Sequence, residues 1–162
     1  MLSSAERMKI IKVVEETGKR KVLIQLSTNE EDKPQFAKIN VIEDVTEKTV
    51  MKEIETNVKH ESTIKTDGYR SFTNLSSKGY NHKTVNYIMK WVHILISNAK
   101  TYIKGTFHGA CDEHYQRYLD AFCYRFNRRF WEGQLFNRLL DACTGCANIT
   151  YKDLIKSFAT KG

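Results

Sequence analysis

The sequence predicts an α/β domain. Its sheet is mixed, with three antiparallel strands, a crossover helix and a further strand, flanked by C-terminal helices. Three observations predict it. Three β-rich runs follow one another before residue 46. A helical recurrence of apolar residues then separates them from a fourth β-type run. From about Lys90 onward helical periodicity dominates. The chain has 162 residues, 41% of them hydrophobic and 28% charged, enough to bury a core and read as globular.

The elements follow in order. Residues 8–15, "MKIIKVVE", are rich in β-branched side chains and predict the first strand. "TGKRK" is a turn, "VLIQLS" (22–27) the second strand and "QFAKINVIEDV" (35–45) the third. The polar loop "TNEEDKP" between them carries the single proline, as a hairpin connection does. "TEKTVMKEIETNVK" opens with Thr46 as N-cap, and Val50, Ile54 and Val58 recur every four residues, so it predicts an amphipathic helix. "STIKTD" is the fourth strand, ending at Asp67. Sequential strands favour an antiparallel meander, while a strand that follows a helix pairs in parallel through a crossover. From Tyr69 to Tyr87 the chain is polar and aromatic, with few periodic signals. "WVHILISNAKTYIKGTFHG" then reads as a helix ending near Gly105. In the next helix Tyr115, Tyr118, Leu119, Phe122 and Phe126 form one stripe. "GQLFNRLLDACTG" and "TYKDLIKSFAT" are two shorter helices, the second with a Thr150 cap and Asp153 near its positive end.

Composition narrows the partners. Twenty-six Lys and Arg against 19 Asp and Glu leave a net charge of +7, which favours polyanions, although a solvated lysine-rich face has the same composition. The most apolar stretch, "WVHILIS", is too short to span a bilayer, and the N-terminal "MLSSAERMKIIK" lacks the apolar core of a signal peptide. No membrane association and a cytoplasmic location are expected. The four cysteines are then expected to be reduced. "CTGC" at 143–146 has metal-knuckle or redox spacing, but Cys111 and Cys123 stand twelve apart and do not supply a matching second pair.

The chemistry-bearing residues lie around "TDGYRSF". Asp67-Gly68 is a common turn dipeptide; it also sets a carboxylate at the rim of a sheet. His93 and Lys100 are seven apart, two turns along one helix face. A helix crossing the sheet edge would bring His93 near Asp67. Two divalent cations held between carboxylates can activate a water or a 3′-hydroxyl and stabilise the leaving oxygen. Carboxylates suit Mg²⁺, imidazole suits Mn²⁺ better, and a lysine can hold a phosphate. A core histidine between Val92 and Ile94, and a solvated Lys100, are the plainer readings.

"STIKTDGYRSF", "WVHILISNAKTYIKGTFHG", "RYLDAFCYRFNRRFW" and "FAKINVIEDV" together resemble the catalytic domain of bacterial insertion-sequence transposases. These are the ISXO-like DDE transposases, with a ribonuclease-H-like core. The resemblance covers roughly residues 20–142. It implies that Asp67 is the second catalytic acid and that His93 stands at the third position, where relatives carry an acid, Asn or His. Lys100 matches the lysine two turns beyond. The resemblance implies substrate contact by "GTFHG", with Gly105 and His108, and DNA-phosphate contact by Arg125, Arg128 and Arg129. Packing and solvation of those arginines on a helix face is the alternative. Mg²⁺ or Mn²⁺ is the implied cofactor, held by Asp67, His93 and a first-strand acid.

One departure qualifies this. Relatives carry the first catalytic Asp on the first strand, in an acidic "DE" or "DD" motif followed by aromatic and glycine residues. That motif is absent, and Glu15-Glu16 is the nearest acidic pair, with Glu15 able by topology to stand in. Relatives also carry an N-terminal zinc ribbon before the core, and the segment from Tyr80 to Trp91 is shorter here. The expectation is therefore a truncated transposase: residues 1–143 a partial catalytic domain, 144–162 a helical tail. DNA strand transfer is the function by descent, expected to be degenerate. The competing expectation is a non-catalytic DNA-binding remnant, able to pair with full-length transposase or with itself and inhibit. A structural zinc protein through "CTGC" is a third, weaker option.

Overall fold

The most deeply buried strand sets the centre of the architecture. In Lys21–Thr28 (β2) the side chains from Val22 to Leu26 are buried without a break, so this strand is covered on both faces. The computed structural model describes residues 9–15, 20–85, 89–107, 111–146 and 150. Lys9–Glu15 (β1) and Pro34–Ile42 (β3) lie antiparallel on either side of β2. Glu47–Asn57 (α1) leads to Thr63–Thr66 (β4), which pairs in parallel with β1. Asn81–Thr84 (β5) pairs in parallel with β4. The sheet order is β3-β2-β1-β4-β5. Lys90–Phe107 (α2), Tyr115–Arg128 (α3) and Leu135–Gly145 (α4) follow.

The expected meander and parallel crossover are both present, and the sheet has one strand more. β5 falls in the stretch from Tyr69 to Tyr87, which carries few periodic signals. Its residues "NHKT" are mostly exposed, because an edge strand need not alternate to bury a face. Phe72 and Leu75, in the short turns before it, are fully buried.

Two apolar layers sandwich the sheet. Val50, Ile54 and Val58 of the α1 segment pack with Ile11, Leu23, Ile64 and Phe72 on one face. Val92, Leu95, Ala99 and Ile103 of α2 pack on the other with Leu119 and Phe122 of α3 and with Ile10, Ile24 and Ile39. Thr46 caps α1 as expected, its hydroxyl accepting from Thr49 N–H, and Asp44 accepts from Thr46 N–H at 3.0 Å. The chain divides into two units, residues 1–127 and 128–162. The described part of the second unit contains α4, where Phe136, Leu139 and Leu140 are exposed. The helix expected over 150–160 lies outside the described residues, apart from Thr150. No helix among the described residues is long and apolar enough to cross a membrane.

The outer edge of β3 is closed by side chains. An open edge presents unpaired N–H and C=O groups that another strand could take. Asn127 prevents this at Ala37: its Oδ1 accepts from Ala37 N–H at 2.7 Å and its Nδ2 donates to Ala37 C=O at 2.9 Å. Gln116 does the same along the strand, accepting from Val41 N–H at 2.7 Å and donating to Ile39 C=O at 2.9 Å. Ala37, Ile39 and Val41 are alternate residues, so their backbone groups face the same side. Both amides come from α3, which is thereby fastened to the sheet by polar contacts as well as by its apolar stripe.

Removing either amide leaves edge groups without a partner. Asn127→Ala is expected to lower the unfolding free energy by about 1–3 kcal/mol, as loss of a part-buried hydrogen-bond pair does. Gln116→Ala is expected to cost less, because its contact to Val41 is exposed to water. Urea unfolding followed by circular dichroism measures both, and equal or absent losses would refute the role.

Candidate functional site

The turn after β4 fixes one carboxylate. Gly68 has φ +77°, a left-handed conformation that L side chains avoid, and a Cβ there would approach Thr84 Cγ2 to 2.9 Å. Thr66, fully buried, holds the turn from beneath. Its hydroxyl accepts from Gly68 N–H at 3.4 Å and lies 2.7 Å from His82 Nε2 on β5. Asp67 is therefore both the turn residue and a carboxylate at the sheet rim. Its Oδ1 is buried with no hydrogen-bond partner, and its Oδ2 faces β1.

β1 answers with a lysine. The pairs Lys9 with Ile64 and Ile10 with Lys65 set the parallel register. Carried on past β4, that register brings Lys12 level with Asp67. Lys12 Nζ lies 3.9 Å from Asp67 Oδ2 and 3.4 Å from His93 Nε2. An ammonium has no acceptor, so it donates and the imidazole nitrogen accepts. His93 is the fourth residue of α2, on its exposed side between the buried Val92 and Leu95. It is not a core histidine.

The structure thus gathers Asp67 and His93 about one ammonium. Lys100 is exposed on α2, about 10 Å further along the axis by helical rise. Glu15 ends β1 opposite Lys21, about 10 Å beyond Lys12 by strand rise. His108 lies outside the described residues. Arg125 is exposed on α3, its guanidinium 5.4 Å from the Tyr102 ring centroid. Arg128 closes α3, and Arg129 stacks over Phe130 at 4.1 Å within the second unit. Lys12 escaped the sequence reading. Its signal was there: it is the charge that interrupts the apolar run Ile10, Ile11, Val13, Val14.

The donor set does not fit a divalent ion. Mg²⁺ and Mn²⁺ sites draw on several oxygen ligands. Here one carboxylate and one imidazole share an ammonium, and no group of three or more His, Cys, Asp or Glu placed to hold a metal occurs among the described residues. Cys143 and Cys146 of "CTGC" are exposed at the end of α4 and belong to no such group among the described residues.

The family of ISXO2-like transposase domains matches residues 4–127. Among solved structures, the catalytic core domain of BIV integrase is similar, with a TM-score of 0.54 and 15% sequence identity, over 77% of this chain and 86% of that one. At that identity the likeness concerns the fold, which is ribonuclease-H-like. No curated protein sequence matches this chain.

Two expected outcomes follow from this geometry. Burial holds the His82 imidazole below its usual 6.5. The unfolded chain therefore takes up that proton first as pH falls. The stability contributed by neutral His82 is fully present above pH 6.5 and declines as pH drops toward the folded-state value. Melting temperature against pH is expected to fall less steeply below 6.5 in His82→Gln than in the wild type. The thiols separate likewise: burial pushes Cys123 up to about 11, while Cys111, Cys143 and Cys146 are exposed. Alkylation at pH near 8 is expected to modify the exposed three rapidly and Cys123 only on unfolding, read by mass spectrometry.

Proposed function

Because the chain belongs to the ISXO2-like transposase domain family, we propose that it engages DNA as a transposase-type domain and does not cut it unaided. Transposase-type function is what this membership supports, and DNA is the partner it implies. The family uses divalent metal ions as a rule. The finer reading, cleavage and joining at insertion-sequence ends by Asp67, His93 and Lys100 with Mg²⁺ or Mn²⁺, needs a second carboxylate beside Asp67. The observation that carries the degenerate reading is the residue level with Asp67 on β1, which is a lysine lying 3.9 Å from the Asp67 carboxylate.

DNA engagement rests on charge and on the arginines. Arg125, Arg128 and Arg129 are assigned phosphate contacts, which position a duplex without reading its sequence. His108 joins them in this reading, through the resemblance of its motif. Such contacts release counterions, so binding weakens with salt.

Fluorescence anisotropy on labelled duplex DNA, paired with a nicking assay in Mg²⁺ and Mn²⁺, tests both halves. If each of the three arginines neutralises one phosphate, affinity is expected to fall about 40-fold between 50 and 200 mM salt, with no nicking. Arg125→Ala is expected to reduce the salt slope by about one unit. Nicking that Asp67→Ala abolishes would overturn the degenerate reading. An affinity indifferent to salt would overturn DNA engagement.

A further inference from the structure

We infer that the Lys12 ammonium is the resident cation of the Asp67–His93 site, and that this one side chain keeps a divalent ion out of it. The inference deepens the proposed function and rests on the same pair of strands. Alternation along β1 puts Ile10, Lys12 and Val14 on one face. Ile10 is buried in the layer beneath α2, and Val14 packs against that layer. A lysine in such a row is held on both sides by apolar neighbours, and its side chain is only 20% exposed. Its charge is met by Asp67 Oδ2 at 3.9 Å, and His93 Nε2 accepts at 3.4 Å. The ammonium therefore engages both donor side chains that meet here.

The charge balance explains why this excludes a second cation. One ammonium and one carboxylate cancel, so an incoming divalent ion meets no net negative charge and a positive group already in place. Asp67 Oδ1, buried and without a hydrogen-bond partner, adds a second oxygen but not a second charge. Lys12→Asp reverses each term. It removes the competing cation, adds a negative charge and supplies a third donor level with Asp67. A single position then decides between a self-neutralised site and a divalent-cation site.

The test measures Mn²⁺ binding to the full chain without DNA, so its failure is distinguishable from a failure of DNA engagement. Calorimetry is paired with Mn²⁺ relaxation broadening of the His93 ring resonances. The wild type is expected to show no selective broadening at His93. Lys12→Asp is expected to bind Mn²⁺ at least ~10-fold more tightly, since ligand charge sets affinity at such sites, and to lose that gain when Asp67→Ala is added. Broadening of His93 in the wild type would overturn the inference, as would a folded Lys12→Asp that binds no better. If circular dichroism shows Lys12→Asp unfolded, Lys12→Gln removes the ammonium without adding a charge. It is expected to acquire His93 broadening, and its failure to do so while folded would overturn the inference equally.

Discussion

The short parallel pairing of β1 with β4 governs everything at the sheet rim. Among the described residues two pairs define it, Lys9 with Ile64 and Ile10 with Lys65. A slip of one residue would turn the opposite face of β1 toward α2, because side chains alternate along a strand. Ile11 would then leave the layer shared with α1, where it is fully buried beside Ile64. The apolar core therefore locks the register, and the register in turn sets Lys12 beside Asp67. The polar site is a consequence of hydrophobic packing several residues away.

Support for the rim comes from neighbours that carry no charge. Thr66 joins the end of β4 to β5 through His82 and to the turn through Gly68, whose left-handed backbone aims the chain away at once. Asp67 is held where these constraints leave it. His93 arrives from α2, carried on the first turn of a helix whose buried stripe runs through Val92, Leu95, Ala99 and Ile103. Strand and helix are each positioned by their own layer, and the ammonium spans the gap between them. An ion pair of this kind, partly exposed on both sides, contributes little to stability in general. Its interest lies in what it occupies.

The far edge of the same sheet shows a different solution to unpaired polar groups. Gln116 and Asn127 give β3 the hydrogen bonds that a sixth strand would give, without being a strand. Both stand on α3, whose arginine Arg125 sits over Tyr102 of α2. The helix proposed to meet DNA is thus tied to the sheet by two amides and to its neighbour by an aromatic contact. That arrangement gives the proposed phosphate contact at Arg125 a firm base within the first unit.

Much of this was legible in the chain itself. Apolar periodicity located β1 to β4, α1, α2 and α3, since burial against a layer leaves a local signature. The Thr46 cap and the glycine after Asp67 were readable for the same reason: each depends on residues within a few positions. The motifs around Asp67 and His93 mark the two as partners in the sequence itself. β5 was not legible, because an exposed edge strand has no face to bury. Nor was the role of Lys12, although its interruption of an apolar run was visible. A lysine in a strand meets a carboxylate 55 positions away only once the sheet has chosen its register. That choice is made by side chains packing across three layers, and no local pattern contains it. The edge amides of α3 share this dependence, since Gln116 and Asn127 find their partners more than 70 residues away. Local physics wrote the elements into the sequence, while tertiary packing alone decided which charges would face one another.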